Sequence, residues 1–204
     1  IEAVLPLPDG TLAIASMGDD RVWQVDAQGV LRTLIGSGRP GEDEGVVVGQ
    51  RATDFALYGP RALGLDGRGR LLAADHDRLI RLEPDGTVTV GLLAGGLFAH
   101  LIVAGRAPDE ALVIGDESQL IPHGADLKAA TPLRGALMPP AFAAEAEEDD
   151  DGEDDADPTW KDFEPHVGRT PDGRLAVLQW TRTGEDTPPT PHAYTYDPAT
   201  GLRA

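Results

Sequence analysis

Cysteine is missing from this 204-residue chain, and so is asparagine. Without cysteine there can be no disulfide and no thiolate metal site. Exported proteins often lack cysteine too, so the compartment stays open, leaning to an extracytoplasmic one. Serine is nearly absent: Ser16, Ser37 and Ser118 are the whole set, and none lies in a Gly-x-Ser-x-Gly nucleophile turn. Aromatic residues make up only 5%, so Val, Leu, Ile and Ala must fill any core. Basic residues are outnumbered, 17 against 35 acids, for a formal charge of −18. Ten acids and no base lie between Glu145 and Asp157, yet the rest of the chain is acidic as well. That balance disfavours a phosphate backbone or an anionic membrane surface, so neither nucleic acid binding nor membrane insertion is expected. Long hydrophobic runs are also lacking. The longest uncharged stretch, Thr87 to Gly105, is broken by glycines and His100. It fits two strands joined by a turn better than a membrane span. The chain starts at Ile1 inside an apparent strand, with no charged leader or cleavage site before it, as a processed or truncated piece would.

What the chain does have is a repeated unit. Leu7 to Gly38 and Leu65 to Gly96 share one order: Gly-x-Leu, an apolar strand, an acidic turn, Arg-apolar-x-x-apolar-acid, a glycine turn and a further strand. Repetition of this kind points to a propeller or solenoid. In the first unit the strands are expected at Ala3–Leu7, Thr11–Ser16, Arg21–Asp26 and Val30–Ile35, with turns at Asp9-Gly10 and Gln28-Gly29. In the second they fall at Ala62–Leu65, Arg70–Ala74, Arg78–Glu83 and Thr87–Leu93, after an insertion over residues 36–58. A third, degenerate unit has strands at His100–Ala104, Ala111–Ile114 and Gln119–Ile121 and a poorly marked fourth. The last unit has strands at Glu164–Arg169, Arg174–Trp180 and Ala193–Asp197, then a turn over Pro198–Gly201 into a fourth. The Pro/Thr-rich stretch Thr181–Pro191 is a loop. The expectation is an all-β propeller of about four four-stranded blades spanning residues 1–204, part of a larger ring, with an acidic, disordered insertion over 141–158.

The first two units and the segment between them resemble NHL-repeat propellers of the bacterial type. The likeness rests on Leu12-Ala13-Ile14-Ala15, Arg21-Val22-Trp23-Gln24-Val25-Asp26 and Gly29, and on Leu71-Leu72-Ala73-Ala74-Asp75, Arg78-Leu79-Ile80-Arg81-Leu82-Glu83 and Asp85-Gly86-Thr87. The joining segment adds Gly36, Gly38, Pro40, Gly41, Ala52-Thr53, Leu57 and Pro60-Arg61 in the familiar order. The resemblance implies a propeller, usually of six blades, that serves as a protein-interaction surface and has no invariant catalytic residue.

Candidate sites come from aligning the units. Glu2, Arg61, His100 and His166 fall near the starts of first strands, which line a propeller's channel, so they could converge at one mouth as a binding site. Trp23, set on the face away from its apolar neighbours Val22 and Val25, and Trp180, beside the Pro-rich loop, are candidate partner anchors. The carboxylates Asp75, Asp116 and Asp19-Asp20 lie in second-to-third-strand turns, where they normally accept backbone N–H bonds. Gly36-x-Gly38-x-x-Gly41 satisfies the dinucleotide spacing, but Pro40 and the acids from Glu42 replace the required helix, so it is a loop. The acidic run starts like a Ca²⁺ loop at Glu147, Asp149 and Asp151-Gly152, but Pro158 stands where the bidentate acid belongs.

The leading expectation is a non-catalytic NHL-like scaffold that needs no cofactor and binds a protein or peptide through its inserted loops. One alternative is a metal-dependent hydrolase like the gluconolactonase or strictosidine-synthase propellers. There Glu2, His100 and His166 would supply a Ca²⁺ or similar divalent site, although that family's asparagine ligands are missing. Another is a segment of a larger surface or envelope protein.

Overall fold

The computed structural model describes residues 1–41, 48–93, 101–104, 107–114, 120–129, 166–170, 175–181, 190–197 and 201–203. The strands among them form four sheets, each following the chain from strand to neighbouring strand with one exception. The first sheet contains β1 (Ala3–Pro6), β2 (Leu12–Ser16), β3 (Arg21–Val25) and β4 (Leu31–Ile35). The exception is β5 (Val48–Arg51), which adds to the outer edge of a sheet made of β6 (Pro60–Leu65), β7 (Leu71–Asp75), β8 (Arg78–Leu82) and β9 (Thr87–Leu92). The third sheet holds β10 (Leu101–Ala104), β11 (Ala111–Ile114) and β12 (Leu120–His123). The fourth holds β13 (His166–Arg169), β14 (Leu175–Thr181), β15 (Thr190–Asp197) and β16 (Gly201–Arg203). The chain divides into two compact units, Ile1–Asp116 with Ile121–Pro132 and Glu117–Leu120 with Leu133–Ala204. The fold is all-β and of propeller type.

Two expectations need correction. Residues 36–58 are not only an inserted loop, because β5 lies within them and pairs antiparallel with β9. Among the described residues the third unit, whose fourth strand was expected to be poorly marked, shows an isolated bridge between His123 and Ala129 after β12. The Pro/Thr-rich stretch is partly strand: β14 runs to Thr181 and β15 starts at Thr190, so Trp180 faces Pro191 across the ladder. The acidic stretch 141–158 lies outside the described residues.

One hairpin design recurs. At Leu7–Thr11, Asp26–Val30, Asp66–Arg70 and Glu83–Thr87 the first residue's N–H bonds the fifth residue's carbonyl. In each turn the fourth residue is glycine, donates back to the first carbonyl, and has φ between +77° and +82°. That is a type I turn closed by a left-handed residue, a seat glycine fills at little cost. The same bonds form at Gly124–Lys128, but there Leu127 holds the left-handed seat at φ +57°. A branched side chain in that region is strained. Burial holds it there: Leu127 is 1% exposed and packs with Leu79 and Leu93.

Strand alternation makes each blade two-faced. Ala13, Ala15, Val22 and Ile35 of the first blade pack on Leu63, Leu71, Ile80 and Val90 of the second. The opposite face of the second blade, with Ala62, Leu72, Ala74 and Leu79, packs on Ile102, Ala111 and Val113 of the third. The first strands lie side by side, with β6 touching β1 on one side and β10 on the other. Gly64 permits that approach, since a Cβ there would collide with the Ile102 backbone.

The arginine that opens each repeat signature holds the segment between blades. Arg78, 3% exposed, bonds the Asp75 carboxylate, donates to the Ala56 carbonyl at 3.2 Å and lies 5.1 Å over the Phe55 ring. Arg21 donates to the Ser37 carbonyl at 3.0 Å and lies 5.1 Å over the Trp23 ring. Each guanidinium therefore spans its own blade and the passing connection, which a lysine point charge could not do in the same way.

A second ionic cluster binds blades two and three at the turn end of β6 and β7. Arg70 meets Asp66 at 2.7 Å, Glu83 at 3.3 Å and Asp109, while Arg81 bonds Glu83 at 2.7 Å and the Ala125 carbonyl at 2.8 Å. Burial works against ionising Glu83, but hydrogen bonds from Arg81 and Thr89 and the nearby cationic charge outweigh it and hold the carboxyl below its usual range.

Three predictions follow from these contacts. Arg78→Met leaves Asp75 buried without its counter-charge and should cost about 3–5 kcal/mol in urea unfolding. Gly64→Ala should cost about 1–3 kcal/mol in the same assay, because backbone rather than a flexible side chain stands in the way. The stability from Glu83 is present above its unfolded-state pKa and is lost as pH falls through its lower folded value. The advantage of the wild type over Glu83→Gln in thermal unfolding should therefore shrink on acidification below the ordinary glutamate range.

Candidate functional site

At the end of the sheets where β1 and β6 begin, a shallow cavity of about 390 Å³ opens between the first two blades. Met17 and Asp20 line it from the β2–β3 turn, and Pro40, Tyr58 and Gly59 from the connecting segment. Arg61 of β6 and His76 of the β7–β8 turn complete the wall. Local structure explains the placement. Met17–Asp19 is one turn of 3-10 helix, ended by Asp20 in the left-handed region at φ +49°. The tight β7–β8 turn puts His76 at φ +55°.

The connecting segment is folded back on itself. Gly36 N–H donates to the Ala52 carbonyl at 2.9 Å, Ser37 N–H to Phe55 at 2.8 Å and Gly41 N–H to Leu57 at 2.7 Å. The backbone donors that a phosphate loop would aim at its ligand are thus bonded internally at Gly36, Ser37 and Gly41, while residues 42–47, where a helix would follow, lie outside the described residues. Phe55 and Leu57 are wholly buried beneath the segment, and Tyr58 stands out of it, 56% exposed. The Tyr58 N–H donates to Asp75 at 2.8 Å, and its ring meets the His76 ring edge-on at 5.1 Å.

The rim carboxylates serve the fold. Asp75 is the last residue of β7, fully buried, and bonds the Tyr58 N–H and Arg78. Burial raises its pKa, opposed by the charge of Arg78 and these hydrogen bonds. Asp19 accepts the Ser16 hydroxyl at 2.7 Å and the Trp23 indole N–H at 3.4 Å, bonds that hold its carboxyl below the usual range. Asp116 lies outside the described residues.

Of the four residues aligned at the starts of first strands, Arg61 lies in the cavity wall. Glu2 immediately precedes β1 and is exposed, its N–H bonded to the Ala15 carbonyl. His166 is the first residue of β13, in the other compact unit. His100 lies outside the described residues. Tyr58 and His76 went unread as site residues in the sequence. A tyrosine beside a Gly-Pro pair and a histidine in an Asp-His-Asp turn were the only signals. Among the described residues no group of three or more His, Asp or Glu is placed to hold a metal ion, and no helix is long and apolar enough to cross a membrane.

Trp23 differs from expectation in one respect. Val25 shares its face of the sheet, and only Val22 takes the buried one. Register places Val4, Ile14, Trp23 and Thr33 in one cross-strand row and Pro6, Leu12, Val25 and Leu31 in the next. A bulge at the β3–β4 ladder, between Val22 and Trp23, leaves Leu34 without a partner. Trp180 lies in β14.

No known family profile matches the chain, and no curated protein does. Solved structures do. Virginiamycin B lyase from Staphylococcus aureus aligns at TM-score 0.53 and 12% identity, over 93% of this chain and 54% of that one. A streptogramin B lyase aligns at 0.50 and 13%, over 85% and 46%. A putative gluconolactonase aligns at 0.47 and 15%, over 99% and 61%. This chain spans about half the length of the two lyases. At such identities the likeness to the lyases shows a shared β-propeller fold and carries no reaction with it.

Proposed function

We propose that this chain is a non-catalytic, NHL-like propeller scaffold that binds a protein or peptide segment at the rim between its first two blades. The observation that carries the reading is how Tyr58 is held. Its backbone is fixed by a buried carboxylate while its ring is offered to solvent beside Arg61 and His76. Tyrosine and arginine on a rigid frame are the residue types that dominate protein interfaces, and a pre-set backbone lowers the ordering cost of binding. The acids Asp75 and Asp19, which catalysis or metal ligation would need, are engaged in holding turns and connection. The lyase names of the structural neighbours, at 12% and 13% identity, carry no reaction to this chain.

Selection of a displayed peptide library on the purified chain tests this. Enriched peptides should bind with affinity lowered at least tenfold, about 1.4 kcal/mol, by Tyr58→Ala and by Arg61→Glu, with the circular dichroism spectrum unchanged. Peptides that bind both variants as tightly as the parent would place the surface elsewhere. A stoichiometric bound Ca²⁺ or Zn²⁺ in metal analysis, with lactone hydrolysis, would replace the scaffold reading with the hydrolase one.

A further inference from the structure

The two interfaces among the first three blades differ at their turn ends. Between the second and third blades two arginines cross: Arg70 bonds Asp109, and Arg81 donates to the Ala125 carbonyl at 2.8 Å. Aligning the repeat signatures sets Gln24 on Arg81, and aligning Gly10 with Gly69 sets Thr11 on Arg70. Neither of these shorter side chains crosses to the second blade among the described residues. Gln24 donates to the Thr11 hydroxyl at 2.8 Å and to the Asp9 carboxylate at 3.2 Å, both within the first blade.

A cavity of about 460 Å³ lies there, between the first two blades and at the opposite end of the sheets from Tyr58. Both blades belong to the first compact unit. Leu7 and Leu34 of the first blade and Leu71 and Leu82 of the second form its apolar wall. Pro8 and Asp9 reach it from the β1–β2 turn, and Pro84 and Gly86 from the β8–β9 turn. An apolar wall with a few polar groups at its edge suits a side chain or ligand with an apolar body and one polar end. Charge makes that end a cation. Asp9 carries a carboxylate whose ionised form the Thr11 bonds favour. Asp85, exposed between Pro84 and Gly86, takes both its Thr87 bonds on one oxygen. Arg70 also lines the cavity, but Asp66, Glu83 and Asp109 already match its charge. The repeat adds the shape of the cation. Aligning the turns Glu83–Thr87 and Gly124–Lys128 sets Pro84 on Ala125, whose carbonyl takes the Arg81 guanidinium in the next interface.

We propose that this cavity takes an arginine side chain from a partner protein, its aliphatic stem on the four leucines and its guanidinium between the Asp9 carboxylate and the Pro84 carbonyl. The incoming group supplies to the first interface what Arg81 supplies to the second. An arginine fits better than a lysine because its planar fork can bond a carboxylate and a carbonyl at once while its stem covers apolar surface. Arginine is also among the residue types that anchor protein interfaces. The site shares no residue with the rim around Tyr58, so it stands or falls independently of the proposed binding role.

The test is an NMR titration of the isotope-labelled 204-residue chain with N-acetyl-arginine methylamide, a single capped residue, up to about 10 mM, enough to saturate a contact of about 1 mM affinity. The amides of Asp9, Gly69, Glu83 and Gly86 should shift and saturate together, and those of Tyr58 and His76 should stay in place. Capped norleucine, which has the apolar stem alone, and capped glutamate should shift them little, and capped lysine should bind more weakly than capped arginine. Asp9→Asn should weaken the arginine probe about threefold, the size of one exposed charge pair. Gln24→Arg places a guanidinium in the cavity from the first blade itself and should abolish binding with the circular dichroism spectrum unchanged. If that variant does not fold, the probe series on the parent chain decides alone. Shifts scattered over exposed acids away from the cavity, norleucine binding as well as arginine, or a folded Gln24→Arg variant that binds like the parent would each overturn the proposal. Agmatine binding about tenfold tighter than the capped residue would also overturn it, assigning the cavity to a free small cation.

Discussion

Much of the first two blades depends on one buried cation. Arg78 lies where the β7–β8 turn, the returning connection and the Phe55 ring meet, and it satisfies all three with one planar group. Asp75, which it neutralises, spends its remaining oxygen on the Tyr58 N–H. Remove this pair and residues 52–59 lose the side-chain anchors that bind the Ala56 carbonyl and the Tyr58 N–H just before β6. The arrangement also has a cost: one Arg78 nitrogen, Nη1, is buried without a hydrogen-bond partner among the described residues. Arg21 repeats the design in the first blade with the Ser37 carbonyl and Trp23, again with one nitrogen, Nε, left unpartnered.

A chain this acidic would be expected to resist folding through self-repulsion. In the sheets the acids are disposed so that they help instead. Asp9 and Asp85 each take the N–H and hydroxyl of the threonine two residues on, at turns whose glycine is left-handed. Asp26 and Asp66 bond backbone N–H groups across their own turns. Hydrogen bonding of this kind favours the charged form and lowers the pKa of Asp9 and Asp85. At these turns the negative charge thus fixes hairpins, and the ionic cluster around Arg70 gathers Asp66 again, together with Glu83 and Asp109.

The sequence was most legible where local chemistry decides. In the first two units the described strands fall within a residue or two of expectation, because glycine turns and period-two patterning mark them directly. β5 escaped notice because Val48-Gly49-Gln50-Arg51 has no alternation and includes a glycine at φ +82°; its pairing with β9, not its own pattern, makes it a strand. The third unit looked degenerate for a reason now visible: its turn puts Leu127 where the others have glycine. The side of Trp23 was only half readable, because which face of β3 is buried depends on the neighbouring blade.

The candidate site divides in the same way. Arg61 could be found by aligning repeats, since its place at the start of a first strand is a property of the unit. Tyr58 and His76 could not, because a folded-back connection brings one of them to the other. By itself the chain determined its repeat, its turns and the acidity that argues against phosphate-rich partners, all consequences of residue type at fixed spacing. Only the tertiary structure decided which face of each blade is covered, which carboxylates are engaged and which side chains meet at the rim. Those outcomes depend on contacts between residues far apart in the chain, and the packing of one blade on the next selects them.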